Sequence, residues 1–120
     1  MYKESIGEDI PSNEDIEKLR QAIAGGRIIF YGAFCDEHLV GCCSVCITYS
    51  TFNYARSGIF EDFFVHPDYR HIGIGRALVN FAYDESGVDT MIVGCADCDI
   101  RMYKALGFEV PLGNMLAKVN

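Results

Sequence analysis

The chain has 120 residues, half of them hydrophobic, and a formal net charge of −7 at pH 7. This length is enough to bury a hydrophobic core without metal ions or disulfides, and it predicts one domain over residues 1–120. The acidic excess argues against nucleic acid as a partner, and no apolar run is long enough to cross a membrane. Since Met1–Ser5 also lack the pattern of a secretory signal, we expect a cytoplasmic protein.

The first predicted element is a helix over Asn13–Ala24. Ser12 and Asp15 have the spacing of a capping box at its start, and Gly25-Gly26 follows its end. Apolar residues recur at helical spacing along one face, namely Ile16, Leu19 and Ile23.

Three strands are predicted next. Apolar runs over Arg27–Phe34 and Leu39–Tyr49 flank a short polar turn and indicate two antiparallel strands. A polar loop, Ser50–Ser57, separates them from a third strand over Gly58–Val65.

Helices and strands alternate in the rest of the chain. The pattern predicts a helix over Ile74–Glu85, a strand over Val88–Cys95, a helix over Asp97–Leu106 and one or two strands within Phe108–Val119. The inward face of the first of these helices is expected to consist of Ile74, Ala77, Leu78 and Phe81. A helix between the third and fourth strands implies a right-handed crossover, so those two strands should pair in parallel.

The most informative segment follows the third predicted strand. After a proline turn, Arg70, Gly73 and Gly75 form the pattern Arg-x-x-Gly-x-Gly directly before a helix. Such glycines let backbone N–H groups approach an anion, and the helix dipole adds partial positive charge at the same point. Arg70, His71 and Arg76 contribute side-chain donors. The segment therefore predicts a site for a pyrophosphate group.

Two other phosphate-binding patterns do not fit. The dinucleotide fingerprint requires a third small residue, where Leu78 stands, and a first glycine directly after the strand. A P-loop requires Gly-Lys-Ser or Gly-Lys-Thr at the start of the helix, where the chain has Gly75-Arg76-Ala77.

The segment resembles the acetyl-CoA motif of the GNAT superfamily of N-acetyltransferases. The matching run is Phe63-Phe64-Val65-His66-Pro67-Asp68-Tyr69-Arg70-His71-Ile72-Gly73-Ile74-Gly75-Arg76-Ala77-Leu78. A second motif of the family, Tyr-x-x-x-Gly-Phe, matches Tyr103-Lys104-Ala105-Leu106-Gly107-Phe108. The resemblance covers the chain from about Arg27 onward. It implies an α+β fold of GNAT type, with a mostly antiparallel sheet, one parallel strand pair and about three flanking helices.

The resemblance also implies a co-substrate, acetyl-CoA, and a role for each matching position. Backbone N–H groups from His71 to Arg76 would hold the pyrophosphate, and main-chain groups of Phe63 and Val65 would pair with the pantetheine arm. The Val65 N–H would polarise the thioester carbonyl, and Tyr103 would protonate the departing thiolate. The implied cofactor-binding set is Phe63, Phe64, Val65, Arg70, His71, Ile72, Gly73, Ile74, Gly75 and Arg76.

A base must remove a proton from an ammonium acceptor before the amine can attack. Glu61 and Asp62 lie on the motif strand, and strict alternation would place them on opposite faces, so that only one faces the acceptor. We favour Glu61, because acids near this point serve as the base in some family members; Asp62 and water are the alternatives. Ordinary structural roles are the alternatives for other positions, with Arg76 as a solvated charge and Tyr103 as a packing residue.

The chain departs from the family pattern at two places. Ala96 stands where many members carry an asparagine that contacts pantetheine. The family usually opens with a strand and two helices that cover the amine pocket, whereas this sequence predicts one helix. The acceptor pocket is therefore expected to be open or to be completed by a second subunit in a homodimer.

The six cysteines do not predict a metal site. Cys43 and Cys46 lie three apart on a predicted strand, so their side chains point to opposite faces and cannot share an ion. Cys95 and Cys98 suggest an acetyl-cysteine route, but nothing in the sequence places a histidine beside either thiol. We expect reduced cysteines and no metal.

Together these features predict an N-acetyltransferase that moves an acetyl group from acetyl-CoA to a primary amine by direct attack. The acceptor would be a small-molecule or peptide amine. A non-catalytic module that binds acyl-CoA is the alternative.

Overall fold

A computed structural model describes residues 11–51 and 54–120 of the chain. Within these residues it shows a four-stranded sheet flanked by three α-helices, which confirms the predicted α+β fold class. The expectation for Met1–Ser5 lies outside the described residues. None of the helices in the described part of the chain is long and apolar enough to span a membrane.

As far as the last helix, the elements follow one another in the predicted order. In chain order they are α1 (Asn13–Ala24), β1 (Ile28–Cys35), β2 (His38–Ser50), β3 (Ala55–Val65), a 3₁₀ turn (Pro67–Tyr69), α2 (Ile74–Ser86), β4 (Thr90–Ile92), a second 3₁₀ turn (Asp97–Asp99) and α3 (Ile100–Ala105).

Helix α1 begins with the predicted capping box. The Asp15 N–H donates to Ser12 Oγ over 3.1 Å, and the Ser12 N–H donates to Asp15 Oδ2 over 3.2 Å. The hydrogen bonds from Ser12 lower the pKa of Asp15, because they favour its ionised form. The apolar face of α1 is only half covered, however: Ile16, Leu19 and Ile23 are 41%, 40% and 46% exposed.

The sheet has the order β1-β2-β3-β4. Strands β1, β2 and β3 pair antiparallel, and β4 pairs in parallel with β3. Helix α2 connects the two parallel strands, so the expected parallel pairing is confirmed.

The hydrophobic core lies between the sheet and α2. Its fully buried side chains come from both layers and from the turn before β4: Cys43, Val45, Phe60, Leu78, Val79, Ala82 and Val88. The prediction that Ala77 and Phe81 face inward is wrong, since Ala77 is exposed and Phe81 is 55% exposed. The buried stripe of α2 is rotated toward Val79 and Ala82, and Phe81 instead packs edge-on against Tyr31 at the rim of the sheet.

Three elements after α2 differ from their predicted bounds. The strand expected over Val88–Cys95 is only three residues long, and the expected last helix begins as a 3₁₀ turn. The strands expected within Phe108–Val119 do not form. Pro111 lacks an N–H for a strand ladder and Gly113 has a φ of 92°, and both interrupt an extended strand.

Candidate active site

The parallel strands β3 and β4 separate after three residue pairs. The last pair is Ile59 with Ile92, where β4 ends. Strand β3 continues to Val65, whereas the chain after Ile92 leaves the sheet. Beyond Ile59, β2 is thus the one strand in the described part of the chain that pairs with β3, and the other edge of β3 borders an opening.

A cavity of about 280 Å³, here called the cleft, lies at this opening. It is lined by Ile59, Phe60, Glu61, Asp62, Phe63, Val93, Gly94, Tyr103 and Met115. The fold therefore brings Glu61 on β3 and Tyr103 on α3 to one cavity, although they are far apart in the sequence. These are the two residues predicted as catalytic.

Strand β3 contains a β-bulge on the wall of the cleft. Ser44 pairs with Glu61 and Cys42 pairs with Phe64, which leaves two residues of β3 opposite one residue of β2. Asp62 lies inside the bulge with a φ of 56°, in the left-handed region that L-residues rarely adopt.

The bulge overturns the expectation that Glu61 and Asp62 would lie on opposite faces with only one toward the site. Glu61 lies directly opposite Ser44, and Asp62 accepts a hydrogen bond from the same Ser44 side chain, so both acids lie on the Ser44 face of the sheet. Both residues line the cleft. Strict alternation holds only for a regular strand, and the extra residue shifts its phase. Before the bulge an even-numbered residue, Phe60, packs in the core, and after Asp62 an odd-numbered residue, Phe63, packs against it.

Near its end, the backbone of β3 directs an N–H donor to the edge that faces away from β2. The His66 N–H donates to the Val40 carbonyl of β2 over 2.7 Å. Neighbouring residues of a regular strand direct their N–H groups to opposite edges, so the N–H group of Val65 points away from β2. This is the direction that the predicted pairing with a pantetheine arm requires.

The start of helix α2 has the backbone form of an anion site. Gly73 precedes the helix with a φ of 95°, and Ile74 follows in the helical conformation. A left-handed residue followed by a right-handed one makes successive N–H groups converge on one concavity. Because Gly73 has no side chain to cap the helix, the first-turn N–H groups face that concavity, where the helix dipole favours negative charge.

The two glycines of this segment serve different purposes. An ideal Cβ at Gly73 would have nothing within 4 Å, so a side chain there is opposed only by the backbone conformation. A Cβ at Gly75 would lie 3.0 Å from Cζ of Phe63. Gly75 therefore allows the helix to approach β3 closely, in addition to the predicted N–H donation.

The second motif ends helix α3 in a Schellman motif. The Gly107 N–H donates to the Lys104 carbonyl over 3.1 Å, and the Phe108 N–H donates to the Tyr103 carbonyl over 3.0 Å. Gly107 has the left-handed φ of 113° that this ending requires. The chain thus returns Phe108 to the core, with its ring centroid 5.3 Å from that of Phe60.

Aromatic contacts hold Tyr103 at the cleft. Its ring centroid lies 6.1 Å from Phe63 and 5.8 Å from Phe108, the latter edge-on. The side chain is half-buried. Tyr103 therefore packs against its aromatic neighbours and also lines the cleft, and its role as the acid stays a prediction.

The match to a known family decides the identity. Residues 26–110 match the model of the acetyltransferase (GNAT) domain, which is more than half of the chain. The chain belongs to the GNAT acetyltransferase family.

Solved structures share this fold. An acetyltransferase from Trypanosoma brucei is similar with 22% identity and a TM-score of 0.74, over 98% of this chain and 87% of that one. An aminoglycoside acetyltransferase from an uncultured soil metagenomic sample has 16% identity and a TM-score of 0.78, over 99% and 83%. A predicted acetyltransferase from Clostridium acetobutylicum, solved with acetyl-CoA, has 14% identity and a TM-score of 0.74, over 98% and 84%. No curated protein matches the chain in sequence.

The arginines of the GNAT motif are tied to the backbone around the site. Arg70 Nε donates to the Val65 carbonyl over 2.8 Å, and its guanidinium lies 5.7 Å from the ring centroid of Phe64. Arg76 Nη2 donates to the Ala105 carbonyl at the end of α3 over 2.8 Å. Both arginines therefore position the loop and helix ends that border the site, and both remain exposed to a ligand.

Two other predicted contacts lie between these arginines. His71 has a φ of 66°, so the loop before Gly73 is itself held in an unusual conformation. The side chain of Ile72 is 68% exposed beside it. At both positions the predicted contact is a hydrogen bond from the backbone N–H to the pyrophosphate.

The cysteines of this GNAT domain differ in reactivity. Burial raises the pKa of the Cys43 thiol to about 12, so it stays protonated. Cys95 and Cys98 are exposed, with Cys98 in the 3₁₀ turn before α3. Within residues 11–51 and 54–120, no three His, Cys, Asp or Glu side chains are grouped to hold a metal ion.

A second cavity, of about 1250 Å³, lies where the final strands were expected. It is bounded by α2, β4, α3 and the extended chain as far as Met115, and Tyr103 borders both cavities. Glu61, the predicted base, lines the smaller cleft and not this larger cavity.

The sequence did not indicate one residue that contacts the lining of the cleft. Ser44 is fully buried and donates from Oγ to Asp62 Oδ2 over 2.7 Å. The available signal was a lone hydroxyl in the middle of the apolar run of β2.

Proposed function

We propose that this GNAT domain transfers the acetyl group of acetyl-CoA to the nitrogen of a primary amine by direct attack. The observation that carries the proposal is the opening beside β3. It combines an outward N–H group of the strand at Val65, a helix start with the form of an anion site and a cleft lined by Glu61 and Tyr103. Each of these features suits a different part of the same elongated co-substrate.

The residues present fit coenzyme A. The concavity before α2 suits a pyrophosphate, and a Cβ at Gly73 would be strained in the conformation that forms it. The open edge of β3 from Phe63 to Val65 offers main-chain groups to an extended arm, as in strand addition. Acetyl-CoA supplies the activated acetyl thioester when it is bound.

Three groups of the chain would then act on the reacting atoms. The Val65 N–H would stabilise negative charge that develops on the carbonyl oxygen as the C–N bond forms. Tyr103 would give its phenol proton to sulfur as the C–S bond breaks. Glu61, directly or through a water molecule, would accept the proton that the amine must lose.

Binding is tested by the thermal unfolding of the full chain with acetyl-CoA and with CoA. A ligand at 100 times its Kd stabilises the folded state by about 2.7 kcal/mol, which is readily measured. Gly73→Ala serves as the weakened-binding control. Absence of any stabilisation by either compound would contradict the proposal.

Turnover is tested with isotope-labelled acetyl-CoA and a panel of metabolite amines, polyamines, aminoglycosides, peptide N-termini and lysine. The exposed thiols of Cys95 and Cys98 would react with a thiol-detecting dye, so the acetylated amine is measured directly by mass spectrometry. Transfer to at least one amine is expected. Binding without transfer to any amine would instead support a non-catalytic module that binds acyl-CoA.

A further inference from the structure

Two side chains of β2 hold the bulged residue of β3. Ser44 Oγ donates to the Asp62 carboxylate over 2.7 Å, and Cys42 Sγ donates to the Asp62 main-chain carbonyl over 3.5 Å. Cys42 and Ser44 are two residues apart on a strand, so their side chains leave the same face. Together they fix both ends of one residue, the carboxylate and the backbone.

The Ser44 end of this contact is shielded from water. The residue has no exposed surface, and its hydroxyl is satisfied by Asp62. A hydrogen bond to a carboxylate is stronger than one between neutral groups. Loss of the Asp62 partner would leave the hydroxyl buried without an acceptor, which is costly.

The held residue is the one that needs support. Asp62 has a φ of 56°, and a non-glycine residue in that region persists only where its surroundings fix it. Aspartate tolerates the left-handed region better than most residues, because its short side chain bonds locally. The contacts from β2 therefore stabilise the bulge conformation over a regular strand.

The bulge determines which groups reach the cleft. It sets the phase of the strand after Asp62, so that Phe63 packs toward Tyr103 and the Val65 N–H points away from β2. In a regular strand this phase would shift by one residue and Phe64 would take the inward position. The position of the Val65 N–H thus depends on a conformation that Ser44 stabilises.

We propose that Ser44 is a positioning residue for acetyl transfer, acting through the backbone of Asp62 on the Val65 N–H and the Phe63 ring. The inference rests on the proposed function. It also assigns the Asp62 carboxylate to holding the bulge, which leaves Glu61 as the acidic residue of the cleft that can serve as base.

The first test is Ser44→Ala, compared with Ser57→Ala on β3 outside the bulge. Small misplacements of a reacting group cost up to about 100-fold, and we expect kcat of Ser44→Ala to fall by roughly 10- to 100-fold. The KM for acetyl-CoA should change less, because the pyrophosphate site at α2 is untouched. Ser57→Ala should retain the wild-type kcat.

The second test substitutes the bulged residue itself. Glycine adopts a φ of 56° without strain and alanine does not, so Asp62→Gly should be more active than Asp62→Ala. Ser44→Ala should cause no further loss when added to Asp62→Gly, since the backbone no longer needs the contact. If the Asp62 carboxylate were the base, the glycine and alanine variants would be equally inactive, and the proposal would be overturned.

The third measurement is independent of turnover. Amide ¹H–¹⁵N chemical shifts of Asp62 to Val65, recorded without ligand, should move in Ser44→Ala and stay in place in Ser57→Ala. Unmoved signals in a folded Ser44→Ala variant would overturn the positioning role. A wild-type chain that neither binds acetyl-CoA nor transfers acetyl would overturn the proposed function instead, and the amide signals would still decide whether Ser44 holds the bulge.

Discussion

At the scale of single residues, Tyr103 is the clearest candidate for the acid. A tyrosine phenol is a proton donor of the kind that a leaving thiolate needs. Contacts with Phe63 and Phe108 fix its ring at the cleft. The hydroxyl is the proposed proton donor, whereas the ring packs against its neighbours. A phenylalanine at this position removes only the hydroxyl.

We expect Tyr103→Phe to lower kcat by about 10²- to 10⁴-fold, the usual contribution of a general acid. The affinity for acetyl-CoA, measured by calorimetry, should be retained because the ring still packs. Tyr54→Phe is the matched control, since Tyr54 is 74% exposed on a loop away from the cleft. An unchanged kcat in Tyr103→Phe would exclude this tyrosine as the acid.

Glu61→Gln tests the base. Removing the proton acceptor should lower kcat/KM by about 10²- to 10⁴-fold near neutral pH. Part of the rate should return as the pH is raised, because more of the amine is then unprotonated in solution. Glu85→Gln, an exposed substitution near the end of α2, is the control for the loss of one negative charge. A pH–rate profile identical to that of the wild type would assign the base to another group or to water.

At the scale of elements, the start of α2 shows how far the sequence determines a site. The motif predicted the location of the helix and of Gly73, because a glycine with positive φ and a helix start are local features. The close approach at Gly75 was not predictable, since it depends on where Phe63 lies after the bulge. The local backbone conformation at Gly73 could be predicted from the sequence. The side of β3 on which Phe63 lies could not.

Gly73→Ala tests this element. An alanine at a φ of 95° is strained by about 1 to 3 kcal/mol, so both stability and affinity for acetyl-CoA should fall. Gly26→Ala is a matched control, because Gly26 has a φ of 72° and open space around its Cβ position but lies far along the chain from α2. It should lose comparable stability in urea unfolding and keep its affinity. Equal affinity in the two variants would contradict an anion site at Gly73.

At the scale of the whole molecule, the sequence was most reliable where neighbouring residues decide the structure. The capping box, the hairpin of β1 and β2 and the parallel pairing across α2 follow from local patterns and chain topology. The prediction of the final strands was wrong because the apolar residues of the tail suggested an extended run, which Pro111 and Gly113 interrupt. The bulge at Asp62 was not predicted for another reason. It depends on side chains of β2 that contact Asp62 only in the folded chain.

The pH dependence of stability is a further property of the whole fold. Burial raises the pKa of Cys43 from its ordinary value of 9.0 to about 12, and it also raises the pKa of Cys42 and Tyr31. Between these pH values the unfolded chain has released the Cys43 proton and the folded chain has kept it. Stability is therefore fully present below pH 9 and declines as the pH rises toward 12, by up to about 1.4 kcal/mol per pH unit for each proton.

Cys43→Ala should reduce this decline. The variant loses some core packing and so is less stable at pH 8, but its free energy of unfolding should fall less steeply above pH 9, because the buried thiol no longer contributes. Urea unfolding at a series of pH values, followed by circular dichroism, measures both effects. Cys95→Ala removes an exposed thiol and should keep the wild-type slope. A slope in Cys43→Ala as steep as that of the wild type would show that Cys43 is not the group that keeps its proton on folding.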